Sequence, residues 1–446
     1  MACGYPKKLP QSGMGALMKL LFTTPLLEHP AVGGPALRIT NSIKALNRIS
    51  QLHIISRVSA EALGGAGAEN YFKSICHRFT YAPSVDAGRT VFFKLANFRI
   101  RINNSLTRKF INLPFWSFNK MYTLAKRRLN RQFMDDVQFI KRYAARNKID
   151  VIWFGYGNIS FELMQALKKA LPETKMVCDT DSVWSRFILR ELELEHDPLR
   201  VKDINAKGQE KEAEEKSWVK FMDVTTAVSE IDAEYYRSIA PDTSTIKVFS
   251  NVVDPDMYRD PPPPPPGFKK PCMYLAGSFG YYHSPMDTAA RWVFQEVFPL
   301  VRQHIPEIHF YIVGKGSESL LEYINDACVT ITGRLDTVLP YLCNADVALV
   351  PLKFESGTRF KILEAGACGV PLVSTTLGAE GIPVTDHKNI LLADTATDFA
   401  SAIVDVVRNR QLAQDLVREC KKLVAANYGI EHLAQEGRQI LDYLQR

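Results

Sequence analysis

The sequence predicts an α/β protein made of two doubly wound parallel-sheet domains that face each other across a cleft. Three observations lead there. The chain has 446 residues, more than one ordinary core accommodates, so two domains are expected. Apolar strand-like runs alternate with helix-like segments in both halves, the pattern of parallel βαβ units. Between the halves stand six consecutive prolines, Pro261 to Pro266, which cannot continue a helix or a sheet and stiffen into polyproline II.

The elements follow in order. Lys19 to Thr24 reads as a first buried strand. The stretch MKLLFTTPLL from Met18 is too short an apolar run for a signal peptide and is broken by Pro25. Residues 1–17 read as a disordered leader. A loop with Gly33 and Gly34 opens a helix from Pro35 to Arg48, and Leu52 to Ser56 is the next strand. Asp150 to Tyr156, Lys175 to Asp179 and Asp223 to Ser229 complete the first series. Beyond the prolines the pattern restarts: Met273 to Ser278, His309 to Gly314, Val329 to Gly333, Asp346 to Leu352, Val370 to Thr375 and Asn389 to Ala393. Ile430 to Arg446 carries apolar positions at helical spacing and can return across the cleft. The expected organisation is a first domain at 18–258, a linker at 259–270, a second domain at 271–428 and a returning helix at 429–446.

Composition narrows the class. The chain is 46% hydrophobic and 23% charged, which suits a globular protein and not a disordered one. No apolar run approaches the ~18 residues of a spanning helix. The eight cysteines form no CxxC pair, and several lie in apolar runs, so a reducing cytoplasm is the simpler setting. The nine histidines show no zinc spacing. Asp179 and Asp181 (DTD) offer two carboxylates for Mg²⁺, but such pairs more often cap a loop, and no metal is expected.

Chemistry is expected at the carboxyl ends of the strands, where open parallel sheets bind ligands. DVALVPL leads into FESGTRFKILEAGACG. Gly357 lets backbone approach a ligand, and Ser356 or Thr358 suits the N-cap of the following helix. That helix start favours an anion such as a diphosphate, and Arg359 and Lys361 add two cations. Each charge-assisted contact is worth about 1.5–3 kcal/mol. The plainer reading is a capped helix with two solvated cations. Gly277 and Ser278, Gly314 to Gly316, and Gly333 with Arg334 end three further strands, where tight turns alone also call for glycine. Gly33 and Gly34 face them from the first domain as a phosphate or acceptor loop.

Here the residues resemble a family. SGTRFKILEAGACGVPLVSTTLGAEGI (Ser356 to Ile382), MYLAGSFGYYHSPMDTAARWVFQEVFP (Met273 to Pro299) and ITGRLDTVLPYLCNADVALVPL (Ile331 to Leu352) resemble the donor-site signature of glycosyltransferase family 4, in its capsule and exopolysaccharide branch. Weaker marks are DTDSVW at Asp179, TAVSE at Thr226 and NVVDPDMY at Asn251. The resemblance implies a GT-B fold of two Rossmann-like domains, acceptor domain first and donor domain second. It also implies retaining transfer from a nucleotide-diphosphate sugar to a glycan or lipid-linked acceptor, without a metal or other cofactor. It places Glu364 on the donor ribose and Arg359 and Lys361 on the departing diphosphate, with Arg334 beside them. Gly378 to Gly381, including Glu380, lie near the sugar and phosphates. The sequence departs from the family in three places. Counting back from Glu364, the first of the paired glutamates is replaced by Ser356, with Glu355 one residue off. The loop GSFGYYHS lacks the usual arginine and lysine. The first-domain histidine is absent, and Asp181 occupies that region as a candidate catalytic group.

The net charge of +7 concentrates in one segment. Residues 89–148 interleave cations such as Arg99, Arg101, Arg108, Lys109 and Lys126 to Arg128 with Phe110, Phe115, Trp116 and Phe118. They read either as a basic amphipathic face for an anionic membrane, peripheral on its inner side, or as a helical hairpin with a solvated positive face. Nucleic acid is not an expected partner. Two other functions share the donor site: a GT-B nucleotide-sugar epimerase or hydrolase, and a partner subunit that has lost the chemistry.

Overall fold

The computed structural model describes residues 17–86, 133–280, 284–322 and 324–446. Residues 1–16 of the expected leader and all but the last sixteen positions of the basic aromatic segment fall outside these residues; 133–147 form a helix.

The first half forms a seven-stranded sheet. Its strands are β1 (Lys19–Thr24), β2 (Gln51–Ser56), β3 (Arg78–Tyr81), β4 (Val151–Gly155), β5 (Lys175–Asp179), β6 (Val224–Ala227) and β7 (Ile246–Val248). The order is β3-β2-β1-β4-β5-β6-β7, every pair parallel. The second half forms a six-stranded sheet from β8 (Cys272–Ala276), β9 (His309–Val313), β10 (Val329–Ile331), β11 (Val347–Val350), β12 (Leu372–Ser374) and β13 (Leu391–Leu392). Its order is β10-β9-β8-β11-β12-β13, again all parallel. The doubly wound parallel sheets expected from the alternation are therefore present twice.

The central strands are continuous apolar runs because helices cover both faces. Leu20, Leu21, Phe22, Val151, Ile152, Trp153 and Phe154 are wholly buried. Each large side chain so buried contributes roughly 1.5–3 kcal/mol. Trp153 meets Phe249 edge-on at 4.9 Å between ring centroids. The edge strands β3 and β7 were not anticipated. They are four and three residues long, and RFTY is only partly buried, so neither carries a sustained apolar signal.

The chain passes between the sheets along 249–271, where the prolines form neither helix nor strand. The Asn344 side chain holds this run by donating Nδ2–H to the Pro262 carbonyl at 3.1 Å. The chain returns through Tyr428, whose carbonyl accepts from the Val253 N–H at 2.9 Å. The last helix, Ile430–Leu444, then lays Ile430, Leu433, Ala434, Ile440 and Leu441 into the first half's core with Ile43, Leu46 and Ile49.

Each sheet reverses its winding once, at β1/β4 and at β8/β11. Loops leaving the carboxyl ends of those strands border a crevice in any doubly wound sheet. The two switch points set the position of the site.

Candidate functional site

The two crevices open toward each other. From the first, Gly33 is the N-cap of the helix Gly34–Ile49, with no side chain capping it. From the second, Arg359 is the N-cap of the helix Phe360–Cys368, also without a side-chain cap. A Cβ placed on Gly34 would lie 3.0 Å from the Phe360 ring, so the two helix starts meet across the cleft. Two uncapped helix starts bring two sets of free N–H groups and two positive dipole ends to one place.

This corrects the expected cap. Neither Ser356 nor Thr358 caps the second helix. Thr358 instead accepts a hydrogen bond on Oγ1 from Asn251 Nδ2 of the first half, at 2.7 Å. Ser356 Oγ is buried with no hydrogen-bond partner among the described residues. Gly357 shows why the loop can come so close. Its φ is +81°, and a Cβ there would lie 2.7 Å from the Asp181 carbonyl oxygen.

Arg359 is buried at 5% exposure. Its Nη1 donates to the Ser356 carbonyl at 2.8 Å and to the Gly357 carbonyl. Its Nε and Nη2 have no partner among the described residues. Burial pushes the guanidinium below its ordinary pKa, while Glu355, Glu380 and Asp232 pull the other way. Lys361, half-buried, is likewise pushed down by burial and lies within electrostatic reach of Glu355 and Glu364. Buried donor groups without acceptors are costly, and an anion satisfies them best.

The carboxylates around these cations are differently held. Burial raises Glu355, which Arg359 and Lys361 oppose. It thus shares the cleft despite its shifted place in the motif. Glu364 accepts from the Tyr258 hydroxyl at 3.3 Å, and burial pushes it up to about 7. Asp181 accepts from Asn158 Nδ2 at 2.6 Å and Trp184 Nε1 at 3.0 Å, and burial raises its pKa as well. Asp179 turns elsewhere, to Arg38 and the Thr226 hydroxyl, so the two carboxylates of DTD have separate partners.

Other expected residues sit less simply. Glu380 is gripped from the first half by Arg190 and, at 3.3 Å, by Arg186. Although burial raises it, the Arg190 hydrogen bonds hold its pKa low. A Cβ on Gly314 (φ +132°) would overlap the Gly277 carbonyl, so these two glycines are packed backbone to backbone. Ser278 beside them is exposed. Gly378 is buried, its N–H donating to Thr375 Oγ1 at 2.9 Å. Arg334 is 62% exposed and lies 3.6 Å from Glu28 across the cleft. Sequence reading missed Arg186, Arg190 and Asp232, and noted Asn251 only as the start of NVVDPDMY without a role. The i, i+4 spacing of the two arginines just after DTDSVW was the available signal.

Residues 275–409 match the family described as glycosyl transferases group 1. The chain is 30% identical over 140 residues to D-inositol 3-phosphate glycosyltransferase of Paenarthrobacter aurescens, a match covering 28% of this chain and 34% of the relative. It is 29% identical over 140 residues to phosphatidyl-myo-inositol mannosyltransferase of Propionibacterium freudenreichii, covering 30% and 35%. The matches thus span about a third of the length of these relatives. Similarity in fold extends much further. A solved structure of Anabaena HepE with UDP and glucose aligns over 95% of this chain and 99% of its own, at a TM-score of 0.58 and 12% identity. Sucrose-phosphate synthase from Thermosynechococcus elongatus aligns over 96% and 99%, at 0.65 and 15%. The chain therefore has a GT-B fold, and residues 275–409 of it are similar to the family of glycosyl transferases group 1.

Proposed function

We propose that this protein is a glycosyltransferase that moves a sugar, with retention, from a nucleotide-diphosphate sugar to a glycan or lipid-linked acceptor. One observation carries the reading: the unpartnered edge of the Arg359 guanidinium, buried where two uncapped helix starts meet. A diphosphate supplies the acceptor oxygens that this edge and those N–H groups need. The names of the relatives, and the UDP and glucose of the HepE complex, support a nucleotide sugar as donor.

In this reading the bond between the anomeric carbon and the diphosphate oxygen breaks. The acceptor hydroxyl oxygen forms the new bond, and its proton leaves with the diphosphate. Negative charge grows on the leaving group, so groups fixed in advance around it lower the barrier. Arg359, Lys361 and the two helix starts are those groups. Glu364 takes the ribose hydroxyls, Glu355 and Asp181 lie on the sugar side, and Gly33 and Gly34 admit the acceptor or a phosphate. Membership in family 4 and its capsule branch, and a peripheral place on the inner membrane face, belong to the same proposal. Among the described residues no helix is long and apolar enough to cross a membrane.

A thermal-shift screen with UDP-, GDP- and ADP-sugars tests it. One nucleotide series should raise the melting temperature, and its sugar should be transferred only when acceptor is added. Turnover without acceptor would indicate an epimerase or hydrolase. No stabilisation by any series at millimolar concentration removes the donor-site reading.

A further inference from the structure

Two thiols meet at the far end of the helix that begins in the Arg359 loop. Cys368 is the last residue of Phe360–Cys368, and Cys343 follows the short helix Leu339–Leu342 that leads into β11. Their Sγ atoms are 3.1 Å apart. Both are free and half-buried, whereas Cys178, Cys272 and Cys420 are buried. Among the described residues no other two cysteines make such a contact. A disulfide needs a separation near 2.05 Å, so closing this one takes a movement of about 1 Å.

The surroundings favour reaction at one sulfur. Lys421 lies within electrostatic reach of both thiols. The Cys368 thiol beside it holds Cys343 below its ordinary pKa, and the same contact together with burial drives Cys368 up. A thiolate next to a resolving thiol is the arrangement that oxidants address. Glu364 lies one helical turn before Cys368 and within electrostatic reach of both sulfurs.

We propose that Cys343 and Cys368 are a peroxide-reactive dithiol that closes to a reversible disulfide and weakens nucleotide binding at Glu364; the second part rests on the role given to Glu364 above. The Cys343 thiolate attacks one oxygen of a hydroperoxide, the O–O bond breaks, and the departing oxygen leaves as water or alcohol, giving a sulfenic acid. The Cys368 sulfur then attacks the Cys343 sulfur, the S–O bond breaks, and water leaves with the Cys368 proton. Two thiols lose two electrons and the peroxide gains them. Pulling Cys368 toward Cys343 moves the last turn of the helix on which Glu364 meets Tyr258.

The test uses the reduced full chain with a few equivalents of hydrogen peroxide. The expected product has two fewer thiols, one peptide cross-link between Cys343 and Cys368, and full reversal by dithiothreitol. Affinity for UDP, GDP or ADP, whichever binds, should fall roughly fivefold or more on oxidation. It should stay constant in Cys343→Ser, which forms no cross-link. Separate overoxidation of the two sulfurs, or cross-links to other cysteines, overturns the proposal regardless of activity. A mapped disulfide with unchanged affinity overturns its second part. A protein that binds none of these nucleotides when reduced counts instead against the role of Glu364, and the cross-link map still decides the thiol chemistry.

Discussion

Arg190 reaches from the first half of the chain and grips Glu380 of the second with both terminal nitrogens, Nη1 to Oε2 at 2.6 Å and Nη2 to Oε1 at 2.7 Å. The same Nη1 also donates to the Glu355 carbonyl at 2.5 Å, so one side chain of the first half ties down two loops of the second. Each partner of the fork is about one-fifth exposed, between the surface and buried extremes. A bidentate pair in that setting should couple by about 1–3 kcal/mol. A double-mutant cycle of Arg190→Ala and Glu380→Ala, read by urea unfolding, measures it. Both single variants should also enlarge the radius of gyration in solution scattering. Unchanged scattering in both would show that the fork does not hold the halves together.

A second long-range pair acts inside one domain. Arg38 and Asp179 are at most 1% exposed and form a buried ion pair. Arg38 also donates to Asn251 Oδ1 at 2.7 Å and to the Thr180 carbonyl at 2.9 Å, fixing the base of the loop that ends in Asp181. Removing one charge leaves the other buried without compensation. Asp179→Ala should cost about 3–5 kcal/mol, readable as a lower urea midpoint with the slope unchanged.

These two pairs also mark what the sequence could and could not convey. The strands were legible because β1, β4 and β5 must be apolar on both faces, and that pattern needs no knowledge of partners. The helix start after Gly357 was legible because its signal is local, but the cap expected of Ser356 or Thr358 is absent, since Thr358 turns to Asn251 of the other half. The Arg190–Glu380 fork joins residues 190 positions apart, and Arg38 reaches Asp179 across 141. No local pattern encodes such contacts. The strand-end glycines were legible as glycines but not in purpose. Gly314 makes room for the Gly277 backbone and Gly277 for the Met286 side chain, while Gly357, on the same sequence evidence, serves the approach of the two halves.

Gly357 accordingly offers a test of that approach. Alanine at φ +81° costs about 1–2 kcal/mol in backbone strain. Its Cβ would also press on the Asp181 carbonyl of the opposite domain. Gly357→Ala should therefore reduce sugar transfer far more than it lowers the melting temperature. Equal, small effects on both would mean that the halves need not meet at this point.

Glu364 sets a pH dependence whose sign can be worked out. Burial places its folded-state pKa at about 7, against 4.5 ordinarily. Lys361 on its own helix and Tyr258 pull it down, and Tyr274, Cys343 and Cys368 also lie within electrostatic reach. Between 4.5 and about 7 the folded chain holds a proton that the unfolded chain releases. Stability from this group is present below 4.5, falls as pH rises toward 7 and is flat above it, a change of up to about 3 kcal/mol. Glu364→Gln should flatten that slope in urea titrations. If Glu364 holds the ribose as proposed, nucleotide affinity should move oppositely, tightening as pH rises toward 7, because the carboxylate can accept from both ribose hydroxyls and the protonated acid cannot do so as well. An affinity profile in Glu364→Gln identical to that of the unaltered chain would assign the ribose to another residue.

Arg359 carries the strongest prediction about rate. Its Nη1 is spent on the Ser356 and Gly357 carbonyls, which hold the loop, while Nε and Nη2 have no partner among the described residues and are the edge proposed to meet the diphosphate. Losing one preorganised donor of this kind lowers turnover by roughly 100- to 1,000-fold. If the proposed transfer holds, Arg359→Ala should show that loss mainly in kcat, because the charge on the leaving diphosphate is greater in the transition state than in the bound donor. Arg359→Lys keeps a charge but cannot serve both loop and ligand, since an ammonium lacks the planar fork. It should recover part of the donor affinity and little of the rate. Turnover within about threefold of the unaltered enzyme in Arg359→Ala, well short of the loss expected for such a donor, would remove Arg359 from the chemistry and leave it only the loop.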